Sequence, residues 1–291
     1  MAANPSEIDK ISGVATTGHE WDGLKELNNP LPRWWLWTFY ATVIWSLGYV
    51  VVYPAIPLVS TYTKGVFGYS TRGSVEDELA ARRAQRAGRI EALSKAKLED
   101  VAKDAELLDF TRRYAKVLFG DNCAACHGQG ANGGKGFPSL VDDDWLWGGT
   151  MADIYKTITV GIRSTHADTR PGNMPALGRT KMISPEDVEA VADYTLSLSG
   201  LKPDDPTRLE KGAAVFKSTC ADCHGPEGKG KPDVGAPNLT DAIWLYGSDR
   251  KTIVATIQNG RGQMMPHWTG RLDEAAIKAL TIYVHGLGGG K

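Results

Sequence analysis

One stretch interrupts the mixture of polar and apolar residues that makes up most of the chain: from Trp34 to Thr63 no side chain carries a charge. At about 1.5 Å per residue, roughly 20 helical residues cross the hydrocarbon of a bilayer, so the stretch predicts one transmembrane helix. Pro54 and Pro57 stop a regular helix close to Val52. Trp34, Trp35 and Trp37 crowd one margin and Tyr49 and Tyr53 lie toward the other, which suits rings that keep one side wet and one side apolar. The length and the marginal tryptophans disfavour a buried helix of a soluble core.

Past the span the pattern turns charged and helical. Residues 74 to 106 are rich in Ala, Arg, Lys, Glu and Asp and contain no proline, which predicts helix. Ile90, Leu93, Leu98 and Val101 give it only a thin apolar stripe, suited either to docking on a partner subunit or to a solvated spacer. Two later runs have the spacing of half-buried helices: Val188, Val191, Ala192 and Thr195 after Pro185, and Ala276, Ile277, Leu280 and Val284 after Asp273. The first 33 residues are polar and close on Pro30 and Pro32, with no apolar stretch ending in a small-residue cleavage site, so no removable signal peptide is expected.

Those two helical runs close the copies of an internal repeat. Each copy opens on Cys-x-x-Cys-His, as Cys123-Ala124-Ala125-Cys126-His127 and Cys220-Ala221-Asp222-Cys223-His224. Tyr114 and Phe119 precede the first motif and Phe216 the second, consistent with a helix that delivers the cysteines. Downstream, the segment around Pro138 and Leu140 matches that around Pro237 and Leu239, Trp145 to Gly148 matches Trp244 to Gly247, and Ile154 to Ile158 matches Ile253 to Ile257. Each copy then reaches Gly, Arg and a Met-Pro pair. Between the copies, Gly200 to Pro206 forms a linker stiffened by two prolines.

In Cys-x-x-Cys-His, two thiols one helical turn apart each form a thioether to a porphyrin vinyl group while the adjacent imidazole reaches the iron. Each copy therefore reads as a covalent haem c site, two haems in all, held by Cys123, Cys126 and His127 and by Cys220, Cys223 and His224. A zinc ribbon needs its knuckles roughly 15–20 residues apart, far closer than these. A thioredoxin-type pair needs a βαβ setting that the flanks do not offer. All four cysteines are used, so none remains for a disulfide or a free nucleophile. The 291 residues leave room for two modest domains plus extra segments, and porphyrins enlarge small cores. A net charge of −1 with no basic, aromatic-laced patch gives no reason to expect nucleic acid.

A methionine as the second axial ligand raises the potential of the iron. Met174, before Pro175 in a glycine-rich turn, is the choice in the first copy over Met151 and Met182; in the second, Met265 precedes Pro266 in the same way, with Met264 the alternative. His166 and His267 are the competing ligands that would give a low-potential, bis-histidine haem. The Pro138 and Pro237 carbonyls are placed to accept the outer N–H of the proximal imidazoles, Arg163 and Arg261 to pair with haem carboxylates, and Trp145 and Trp244 to pack the pockets. His19 and His285 read as structural. Helix, haem motif, glycine-rich loop, Met loop and closing helix together resemble a class I cytochrome c domain, found twice.

The segment Trp21-Asp22-Gly23-Leu24-Lys25-Glu26-Leu27-Asn28-Asn29-Pro30-Leu31-Pro32-Arg33-Trp34-Trp35, then one span and two Cys-x-x-Cys-His copies, resembles the dihaem subunit III (CcoP) of cbb3-type cytochrome c oxidases. The resemblance implies His/Met ligation of both irons, a soluble or membrane-anchored cytochrome c as donor, and a monohaem subunit and a haem-copper catalytic subunit as partners in the membrane lipid. The span carries no histidine, so the oxygen-reducing site is expected in another chain and this one is a relay. The expected architecture is mainly α: a cytoplasmic segment 1–33, a transmembrane anchor 34–63, a charged connector 64–106, and cytochrome c domains 107–200 and 201–291. Haem attachment outside the bacterial cytoplasmic membrane places both domains in the periplasm. Competing readings are a membrane-anchored dihaem cytochrome serving another respiratory complex and a dihaem peroxidase.

Overall fold

The computed structural model describes residues 7–288, which fall into two compact units that divide between Ala84 and Gln85. In the first, a hairpin of β1 (Thr16–Trp21) and β2 (Leu24–Leu27) precedes the helix α1 (Arg33–Val52). The hairpin is an addition to the expected elements, which were helices throughout a mainly α chain. Its turn is Asp22-Gly23, both at positive φ, the pairing that a two-residue turn between antiparallel strands favours, and Trp21 faces Leu24 across it.

Helix α1 is 20 residues long and buries none of them in the chain. Trp34, Trp37, Ile44, Trp45 and Val51 are all exposed. A helix apolar on every side and uncovered by protein has the length and surface of a membrane span. It ends at Tyr53, before Pro54, and Tyr53 meets Tyr49, Phe67 and Tyr69 with ring centroids 4.8 to 5.8 Å apart.

Helix α2 (Thr71–Lys95) leads to the short α3 (Leu98–Val101) and into α4 (Ala105–Asn122), capped by Asp104, whose carboxylate accepts from the Glu106 and Leu107 amides. The connector is neither a free docking face nor a spacer at this end. Leu93 and Val101 are fully buried in a cluster with Ala115, Ala275, Ala279 and Ile282, and the Lys278 ammonium caps the end of α2 by donating to the carbonyls of Ser94 and Ala96.

The first haem motif occupies Cys123 and the short helix α5 (Ala124–His127), followed by α6 (Met151–Val160) and α7 (Pro185–Leu198). The second copy supplies α8 (Leu209–Val215), a π-helical turn at Phe216–Cys220, α9 (Ala221–His224), α10 (Arg250–Asn259) and α11 (Glu274–His285). Thr150 and Asp249 cap α6 and α10 in the same way. The pairing of these helices departs from a tandem arrangement: α4 and α6 of the first copy pack with α11 of the second, while α7 of the first packs with α8 and α10 of the second.

The boundary expected at 200/201 therefore separates sequence copies rather than packed cores, because the copies exchange their closing helices. One core gathers Phe119, Ala124, Ile154, Ile158, Ile277, Leu280 and Val284, and the other Leu177, Val188, Val191, Leu196, Phe216, Ile253 and Ile257. Equivalent apolar faces on α7 and α11 permit the exchange, and unequal loops accommodate it: 13 positions separate Gly161 from Met174 (174 − 161), but only 5 separate Gly260 from Met265 (265 − 260).

Candidate haem-binding sites

The first motif restarts the helix after a break at Cys123, and the second continues from a π-helical turn that includes Cys220, so in each the two thiols and the imidazole belong to one short turn. The ring Nδ1 of His127 lies 3.0 Å from the Pro138 carbonyl and that of His224 3.0 Å from the Pro237 carbonyl. With Nδ1–H donated to a carbonyl, Nε2 keeps its lone pair for a metal. Burial pushes both imidazoles below their usual range, with the proline carbonyl opposing it in each case, so both rings are neutral and ligand-ready at neutral pH.

Cys123 and Cys220 are free and half-buried, and burial, together with the neighbouring Cys126 or Cys223, pushes each thiol up to about 11. A dithiol redox pair requires the opposite shift. Cys126 and Cys223 are exposed at the rim.

A cavity of about 710 Å³ opens on Cys220, Cys223 and His224. Its apolar wall is Leu177, Val191, Phe216, Leu239, Trp244, Ile253 and Ile257, and Met174 lines it together with the imidazole. Two thiols, a neutral imidazole and a thioether around one apolar cavity fit a covalent porphyrin. In the other core, Met265, Cys123 and Trp145 pack against one apolar cluster that includes Phe119, Ala124, Ile154 and Ile158, the same kind of wall. The methionine expected for each motif is thus replaced by its counterpart: Met174 sits with Cys220 and Met265 with Cys123.

The exchange is fastened by backbone. Ile162 and Met265 trade both hydrogen bonds at 3.0 Å, and Met174 and Arg261 do so at 2.9 and 3.0 Å. Met264 is 61% exposed. His166 and His267 face each other, centroids 5.6 Å apart, and His166 Nδ1 accepts from the Asp168 amide. His19 stands on the exposed hairpin beside Trp21, and His285 closes α11.

Arg163 was expected at the first haem but lines the cavity of the second, donating to the carbonyls of Gln263 and Gly172. Arg261 lines the same cavity, stacked 4.1 Å over Tyr246 and bonded to Thr256 Oγ1. Asp144, on the cavity wall, is pushed up to about 6 by burial and by Asp241, Asp142 and Asp143. Sequence reasoning missed Asp193, which is fully buried behind the second core. Arg250 donates to it at 2.9 and 3.1 Å, the Asp204 amide at 3.0 Å, and Arg208 stands 3.6 Å away. A lone aspartate in the middle of an apolar helical run was its one visible signal.

Comparison with known proteins identifies the family. Residues 111–194 and 207–284 match the family described as cytochrome C oxidase, cbb3-type, subunit III, which makes the chain a c-type cytochrome. Residues 13–60 match the N-terminal domain of cytochrome oxidase-cbb3, FixP. Full-length relatives are cbb3-type cytochrome c oxidase subunits: FixP of Bradyrhizobium sp. (strain ORS 278), 54% identical over 99% of this chain and 100% of that protein, and FixP of Azorhizobium caulinodans, 56% identical over 98% and 96%. CcoP of Azospirillum sp. (strain B510) is 50% identical over 97% and 98%. The chain belongs to the cbb3-type cytochrome c oxidase subunit III family, FixP/CcoP.

Proposed function

We propose that this chain is the electron-transfer subunit of a cbb3-type cytochrome c oxidase, carrying electrons from a cytochrome c donor through two covalent haems c toward a haem-copper subunit that reduces oxygen. The observation that carries the reading is the cavity that gathers Cys220, Cys223, His224 and Met174, together with the first core, where Cys123 and Met265 pack on one apolar cluster. A haem c, when bound, supplies one-electron redox chemistry.

The chain's own residues supply the rest. Cys123 and Cys126, and Cys220 and Cys223, would attach the macrocycles, and His127 with Met265 and His224 with Met174 would hold the two irons. An imidazole and a thioether together would suit the bound haem to electron exchange rather than substrate binding, at a higher potential than two imidazoles would give. The Pro138 and Pro237 carbonyls hold the rings in orientation. Arg261 and Arg163, on the second cavity's wall with their forks held by Thr256 and by the Gln263 and Gly172 carbonyls, would offer the porphyrin carboxylates positive charge and their remaining N–H groups. The cores are class I in type, with their closing helices interchanged.

Helix α1 anchors the chain in the bacterial inner membrane, N-terminus cytoplasmic and haem cores periplasmic. Its companions there are a monohaem cytochrome subunit and the haem-copper subunit, and the donor is a soluble or membrane-anchored cytochrome c.

Purification from membranes by a tag on this chain tests the reading. The expected product contains a haem-copper subunit, oxidises reduced cytochrome c, and shows two low-spin, six-coordinate haems c. Isolation with a different respiratory enzyme, or a resting five-coordinate high-spin haem that takes peroxide, would overturn it.

A further inference from the structure

Each sulfur loop rests against a glycine that does not belong to it. Gly161 and Gly260 follow the last residues of α6 and α10 and share φ +69°, with ψ −175° and 178°. That backbone region is essentially restricted to glycine. What it secures here is a close approach. A Cβ on Gly161 would stand 2.5 Å from the Met265 carbonyl oxygen and 2.7 Å from the His267 nitrogen; one on Gly260 would stand 2.8 Å from the Ala176 nitrogen and closer still to the Met174 carbonyl oxygen.

The next residue in each case, Ile162 or Arg261, then exchanges two backbone hydrogen bonds with that methionine. The loop cannot slide along the helix end without breaking that pair, so added bulk at the glycine must lift the Met-Pro peptide away from it. The same contact appears twice although the loops differ in length by eight residues (13 − 5), so it does not follow from loop length.

We propose that Gly161 and Gly260 are positioning residues that set how deeply Met265 and Met174 reach over their porphyrins, Gly161 acting at the His127 site and Gly260 at the His224 site. This rests on the reading of those methionines as axial ligands. The thioether is an uncharged ligand held only by its loop, so displacement of the peptide by even a few tenths of an ångström weakens the iron–sulfur bond while the covalent thioether links of the cysteines keep the haem in place.

The test uses the full chain within its purified oxidase, with Gly161→Ala, Gly260→Ala and, as a control, Gly200→Ala. Gly200 also has positive φ, +73°, but an added Cβ there meets nothing within 4 Å. The readouts are the sulfur-to-ferric-iron charge-transfer band and the potential of each haem. Gly161→Ala is expected to lose the band and lower the potential only of the haem on Cys123 and Cys126, Gly260→Ala only of the haem on Cys220 and Cys223, and Gly200→Ala of neither. Full bands and unshifted potentials in both glycine variants would overturn the proposal, as would equal losses in the control, which would assign the effect to backbone strain. If one variant fails to assemble, the other decides by the same criteria. Met265→Leu separates the two levels: if it leaves the band of the first haem intact, the ligand reading fails, whereas a lost band there with an intact one in Gly161→Ala removes only the role of the glycine.

Discussion

At the His127 site the closing helix is α11, which is apolar on two sides. Ile277, Leu280 and Val284 face the haem core while Ala275, Ala279 and Ile282 pack on Leu93 and Val101 of the connector. At the His224 site the closing helix is α7. Val188, Val191, Ala192 and Leu196 face the core, and the outer side carries Asp193, joined to Arg250, Arg208 and the interdomain linker. One site is held to the rest of the chain by apolar packing, the other by a buried charge. The repeats make a similar apolar core twice, and what differs is the material behind it, so the two sites should fail under different conditions.

The sharpest way to expose that difference is to remove the buried charge. Arg250 keeps Glu189 and Asp204 as partners, but Asp193→Ala removes a buried acceptor of three hydrogen bonds, each worth about 1.5–3 kcal/mol to a charged group. It should therefore unfold the second core in denaturant well before the first, read as early loss of the haem signal from Cys220 and Cys223. Coincident loss of both signals would mean that the cores do not fail separately. Burial raises the Asp193 pKa, but Arg250, the Asp204 amide and Arg208 outweigh it and hold the carboxyl below its usual range. Its contribution is therefore present above the ordinary carboxylate pKa and is lost as pH falls through the depressed value, which makes the second site the more acid-sensitive.

Leu93→Ala opens a cavity behind the first site at a cost of about 2–5 kcal/mol. It should destabilise the core of Cys123 and Met265 and leave the other core unchanged in a chemical denaturation series. The smallest effect is expected at Asp144. Its pKa, raised from 3.8 to about 6, means that it favours the fold when protonated, and that contribution erodes as pH climbs through about 6. Asp144→Asn should flatten the stability profile between about pH 4 and pH 7 and gain at neutral pH; an unchanged profile would show that the carboxyl is better solvated than its surroundings suggest.

Much of this was legible in the residues. Charge-free sequence ending at two prolines marked α1, and Cys-x-x-Cys-His with a following proline marked both imidazoles and their carbonyl partners, because these features depend on contacts close in sequence. The exchange of Met174 and Met265 was not legible, since two copies with the same apolar pattern offer each closing helix two equivalent surfaces and the pattern does not say which one it takes. The unequal spacings after Gly161 and Gly260 were the one sign of it. Asp22-Gly23 did announce the hairpin, in a segment whose polarity drew attention away from strands. The buried end of the connector was hidden because half of its apolar partners, on α11, lie nearly two hundred residues away.

The exchange itself is tested most directly by Met265→His in the assembled oxidase, with the potential of each haem assigned through His127 and His224 variants. Histidine in place of the thioether lowers the potential of whichever iron it binds. The haem attached to Cys123 and Cys126 should fall while that on Cys220 and Cys223 stays where it was; a fall confined to the haem on Cys220 and Cys223 would contradict the interleaved arrangement.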